Sequence, residues 1–171
     1  PTSTEQVSYA APWRIPTAGT ADLFNSCNTA NQGVPNNSLS GVASFQEALT
    51  GDGYGGIFAL NGHFNGTIRD YREYLQVQLV QSLIAGQVYD LTFYVSLTNG
   101  SRYAIDRIGA HLSTNQITEA HDDPLAVAFQ ITSPLGEILS DTLNWMKVSG
   151  KYTALGGEEY LTIGNFIPHG D

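Results

Sequence analysis

Residues 71–97 constrain this chain more than any other stretch. Tyr74 to Leu79 alternates apolar and polar side chains, and so does Val88 to Leu97, with Leu83-Ile-Ala-Gly-Gln87 between them. Strict period-two alternation predicts two strands, each with one buried and one wet face. Leu75, Val77 and Leu79 share one face of the first strand, and Tyr74, Gln76 and Gln78 the other. In the second, Tyr89, Leu91, Phe93, Val95 and Leu97 oppose Asp90, Thr92, Tyr94 and Ser96. The parity of Leu75, Val77, Leu91 and Phe93 predicts an all-β core. The turn between the strands predicts that the two lie side by side. The expected wet face is amide, hydroxyl and phenol rather than Lys and Glu. Flat rings beside neutral donors and acceptors are the chemistry that grips sugars.

Composition agrees with an all-β chain rich in turns. Only 13% of the 171 residues are charged, while 18 are Gly and 11% aromatic. This length suits one domain, spanning residues 1–171, with a core of its own. The net charge of −9 repels phosphate, so nucleic acid and anionic membranes are excluded as expected partners. No run approaches the ~20 apolar residues that span a bilayer. The single Cys27 has no internal partner and reads as a small buried or half-exposed thiol, or as one whose partner lies outside this chain. The opening Pro-Thr-Ser-Thr without Met reads as a piece of a longer polypeptide.

Further short strands are expected at Val7–Ile15, Ile57–Leu60, Arg102–Ser113, Ala126–Thr132, Leu143–Tyr152 and Tyr160–Ile167. Gly51–Gly56 reads as a glycine-rich bend, and Asn61–Thr67 and Thr114–Pro124 as loops. Strands at such spacing, with no 3.6-residue periodicity anywhere, predict an antiparallel β-sandwich of the jelly-roll type.

Several stretches carry a resemblance. They are Trp13-Arg-Ile-Pro-Thr17, Gly19-Thr-Ala-Asp-Leu-Phe-Asn-Ser-Cys27, Gly53-Tyr-Gly-Gly-Ile57, Tyr71-Arg-Glu-Tyr-Leu75, Leu83-Ile-Ala-Gly-Gln-Val-Tyr89, Trp145-Met-Lys-Val-Ser-Gly150 and Glu159-Tyr-Leu-Thr-Ile-Gly-Asn-Phe166. Together they resemble the galactose-binding-like, carbohydrate-binding-module-like jelly-roll domains of secreted and surface proteins of gliding or adhesive Bacteroidota. Such domains often stand upstream of OmpA-like or sorting domains. The resemblance implies a secreted or cell-surface bacterial location and a non-catalytic, lectin-like adhesion role toward a polysaccharide or glycan. The family's usual opening strand has no counterpart here. Without it, an open sheet edge offers an alternative role: a structural or protein-interaction module that associates by strand addition, with a partner or with itself.

The expected ligand-binding residues are Tyr74, Gln76, Gln78 and Tyr94 on the sheet face, Tyr54 in the glycine bend, and Arg107 and His111 on the next strand. Trp13 and Trp145 read as structural rings. Arg72 and Glu73 must point to opposite faces, so one of them needs a buried partner. No cofactor is required. Structural calcium is the only metal the chain suggests, with Asp122 and Asp123 of His121-Asp-Asp123 as its ligands, although two carboxylates fall short of six to eight oxygens. No nucleophile-elbow, zinc-protease, P-loop or dinucleotide motif occurs, so the chain is not expected to be an enzyme.

Overall fold

The computed structural model describes residues 6–39, 41–64 and 67–168. Among these residues the strands run β1 (Asp22–Asn25), β2 (Asn36–Leu39), β3 (Val42–Phe45), β4 (Gly53–Gly56), β5 (Asn61–Phe64), β6 (Thr67–Tyr71), β7 (Tyr74–Gln78), β8 (Val88–Val95), β9 (Gly109–Ser113), β10 (Ile131–Thr132), β11 (Met146–Thr153) and β12 (Tyr160–Gly164). They form a four-stranded sheet, β10-β9-β12-β7, and four antiparallel pairs: β1-β4, β8-β11, β2-β3 and β5-β6. Among the described residues the protein is all-β, with several antiparallel sheets and no closed barrel.

The alternation of residues 74–97 positions the core. Leu75 and Val77 of β7 stand beside Ile163 and Leu161 of β12, which stand beside Ala110 and Leu112 of β9. That face meets the apolar face of β8-β11. Val77, Leu79, Leu83, Leu91, Phe93, Tyr152 and Ile163 pack around buried Ala110, Leu112, Ile131 and Leu161. Gly150 of β11 marks one close approach, since a Cβ there would lie 3.2 Å from the Ile131 side chain.

Four expectations are corrected. β7 and β8 do not pair with each other: β7 pairs with β12, and β8 with β11. The 79–87 connection carries the chain from one sheet to the next, and is stitched to residues 154–159 by Leu79 N to Glu159 O, Leu83 N to Glu158 O and Gly86 N to Ala154 O. Second, the Tyr74/Gln76 face is not wet, because both residues are fully buried. Third, the strands are shorter than their patterns. Polar side chains stand in where backbone pairing stops. The Gln130 amide accepts from Leu112 N (2.7 Å) and donates to Leu112 O (3.2 Å), so β10 is only two residues long. Residues 7–9 form a 3-10 turn, and Arg14 touches the sheet as an isolated bridge to Gln76. Fourth, the glycine stretch is itself strand β4, Ile57–Leu60 is irregular, and Asn61–Phe64 and Thr67–Tyr71 form the antiparallel pair β5-β6.

Candidate functional site

The outer face of the four-stranded sheet carries a row of paired residues: Gln76, Thr162 and His111. Beside it run Tyr74, Gly164 and Gly109. Residues 116–129 cover both rows. Tyr74, Leu125 and Phe166 form a buried apolar cluster with Ile117, Val127 and Phe129 packed on it. Glycine makes the room: a Cβ at Gly164 would fall 2.3 Å from the Tyr74 ring, and one at Gly109 3.1 Å from Phe129. The polar atoms of this face hold the cover down. The Tyr74 hydroxyl donates to Asn165 O (2.8 Å) and accepts from Leu125 N (2.9 Å). The Gln76 amide accepts from Thr162 Oγ1 (2.9 Å) and Ile117 N (3.1 Å) and donates to Ile117 O (3.3 Å). His111 Nδ1 donates to Ala128 O at 2.6 Å. Tyr74 and Gln76 therefore cannot meet a ligand in solution, and His111 is engaged with the covering segment. Burial pushes the Tyr74 phenol up to about 12, partly opposed by the Leu125 N–H and the Arg72 charge.

The remaining predicted residues are dispersed. Gln78 is exposed at the end of β7, beside Tyr160 and, across β12, Ser113. Tyr94 is 41% exposed, but on β8, paired with Lys147. Tyr54 is stacked on Phe24 (5.1 Å), meets Trp145 edge-on (5.3 Å) and accepts a hydrogen bond from Asn37 Nδ2. Burial pushes its phenol up to about 12. Arg107 lies 3.6 Å from Asp106 and lines a separate cavity of about 230 Å³ that Arg72 also borders. Trp145 donates to Glu47 O, which fits a structural ring.

Arg72 and Glu73 are both buried, at 1% and 2% exposure. Arg72 pairs with Asp70 at 2.7 Å and donates to the carbonyls of Tyr71 and Ile167. Burial lowers its pKa, and Asp70 opposes that shift. Glu73 accepts from Thr20 N, Thr20 Oγ1, the Tyr71 hydroxyl and Phe58 N. A buried carboxylate met by four donors is a structural anchor, with no lone pair facing solvent for acid–base work.

The open concavity lies above the covered face. A groove of about 500 Å³ is lined by residues 113–119, His121 and residues 124–127. Its size falls in the range of small-ligand clefts. The floor is apolar, from Ile117, Leu125 and Val127, which rest on Tyr74 and Phe166. The rim carries neutral donors and acceptors with one carboxylate. Gln116 accepts from Arg14 Nη1 (2.7 Å) and donates to Thr118 Oγ1 (3.3 Å), and Asn115 Nδ2 donates to Thr114 Oγ1 (3.3 Å). The groove's walls are held by Ala18 N to His121 O, Glu119 N to Pro16 O and Arg72 N to Asp122 O. No periodicity marks these residues in the chain. Their only signal is a concentration of amides and hydroxyls between two strands.

His121, on the rim, stands between Glu119 and Asp123, of which only Glu119 lines the groove. Its Nε2 is 3.7 Å from Glu119 and its Nδ1 3.9 Å from Asp123. The two acids approach opposite nitrogens of one ring, so they do not converge on a point. Among the described residues, no group of three His, Cys, Asp or Glu is placed to hold a metal ion. Asp122 lies beside this cluster, where its backbone carbonyl accepts from Arg72. Comparison with known protein families, curated proteins and solved structures finds no match.

Proposed function

We propose that this chain is a non-catalytic carbohydrate-binding domain of a jelly-roll sandwich type, working as a lectin-like adhesion module outside the cell. We place its sugar site in the 113–127 groove rather than on the sheet face. The observation that carries this reading is the groove's lining: an apolar floor under a rim of Asn115, Gln116, Thr118 and Glu119. Sugars present the matching pattern, with C–H faces for the floor and hydroxyls for amide, hydroxyl and carboxylate partners. The rim is already cross-bonded, which lowers the entropy lost on binding. Gln78 and Tyr160 extend the polar surface beyond Ser113.

A glycan array followed by affinity electrophoresis, each with and without calcium, tests this. The expected result is retention by at least one polysaccharide, with Asn115→Ala and Thr118→Ala each weakening it while the unfolding midpoint stays put. Tyr94→Ala should leave binding intact. One observation favours a second reading. Among the described residues, β8 and β11 form a ladder only with each other, although each is eight residues long. Such edges accept added strands. Failure to bind any glycan, together with a concentration-dependent dimer in light scattering, would favour the module that associates through its sheet edge.

A further inference from the structure

We infer that Glu119 is the specificity-determining residue of the groove, and that the groove takes a sugar unit bearing adjacent hydroxyls and no acidic group. This rests on the carbohydrate-binding reading above. Glu119 lines the groove, and its side chain is 50% exposed. Among the described residues, the ionisable side chain it approaches is His121, at the long separation of 3.7 Å. A carboxylate accepts through two oxygens and can take two O–H donors at once, the spacing that neighbouring sugar hydroxyls offer. The partially open Glu119 therefore has acceptor capacity left for a ligand.

The same geometry works against anionic sugars. Among the described residues, no Lys or Arg lines the groove. The guanidinium of Arg14 is held to Gln116 by a 2.7 Å bond. Asp123 adds a second carboxylate beyond His121, at 3.9 Å, and the whole chain carries −9. A uronate or sulfate placed against Glu119 would meet like charge, while the Arg14 cation at the rim is already bonded to Gln116.

The test pairs a neutral galactan with the same galactan oxidised at C6 to the uronate, which differ in the acidic group, against wild type and Glu119→Gln by isothermal titration calorimetry. Glu119→Gln leaves the backbone bond from Glu119 N to Pro16 O in place, so folding is preserved. Should the galactan prove a poor ligand, a neutral glycan taken from the array and its oxidised, uronate-bearing form replace the pair. Wild type is expected to bind the neutral member alone, and Glu119→Gln to lose about 10- to 100-fold of that affinity. Equal binding of the acidic member, or unchanged affinity in Glu119→Gln, overturns the inference and leaves the carbohydrate reading standing. Binding to no glycan at all overturns both.

Discussion

At the scale of single residues, the amides on this sheet serve the fold. A glutamine side chain carries the same N–H and C=O as a peptide group. Gln76 uses it to bond the backbone of Ile117, and Gln130 to bond that of Leu112. Tyr74 does the same with its hydroxyl, bridging Asn165 O and Leu125 N. Tyr74→Phe strands both backbone groups in a buried place and should cost about 1–3 kcal/mol, read as a lower urea midpoint with an unchanged slope. Alternation alone could not distinguish an amide that faces water from one that holds a loop, because both have the same parity. The position of Tyr74, Gln76 and Gln78 on one face was legible in the chain; the covering of Tyr74 and Gln76 was not, since it depends on Ile117 and Leu125, far along the sequence.

At the scale of elements, the apolar parity of β7 and β8 was readable, and it does direct Val77, Leu91 and Phe93 into the shared core. The partners were not readable. A strand's alternation says which side is buried, while its neighbour is chosen by long-range contacts. Here β7 finds β12, and β8 finds β11. Glycine placement also belongs to this scale. Gly164 sits between Tyr74 and Gly109 in register, and its missing side chain is where the Tyr74 ring lies. Gly164→Ala should destabilise by about 1–3 kcal/mol through forced displacement of a packed ring, seen as a drop in melting temperature. Gly41→Ala is no control for it, because Gly41 has φ +80° and is strained for any other residue.

At the scale of the whole molecule, low charge and buried phenols shape the response to pH. Burial raises Tyr54, Tyr71 and Tyr74 to about 12 each, with the Glu73 contact adding to the shift at Tyr71. A group whose folded pKa is raised contributes stability that is whole below its unfolded value and fades as pH climbs toward the folded one. Stability should therefore hold to about pH 10 and decline between about 10 and 12, with phenolate absorbance from these tyrosines appearing together with unfolding. At the acid end, burial works to raise Glu158, but hydrogen bonds from Tyr152 and the backbone N–H groups of residues 155, 156 and 158 outweigh it and lower its pKa. That contribution is present above the ordinary carboxylate range and goes as pH falls through the lowered value.

The strand order carries one more consequence, for the timing of synthesis. β12 lies between β7 and β9, so the middle of the four-stranded sheet is made after both its flanks. A growing chain exposes the apolar faces of β7 and β9 with nothing between them until residues 160–164 have emerged. At roughly 5–20 residues per second, β7 waits on the order of 4–17 seconds for its partner. Through that interval the ribosome holds an unpaired strand edge, and the ordering of the cover over Tyr74 must wait as well.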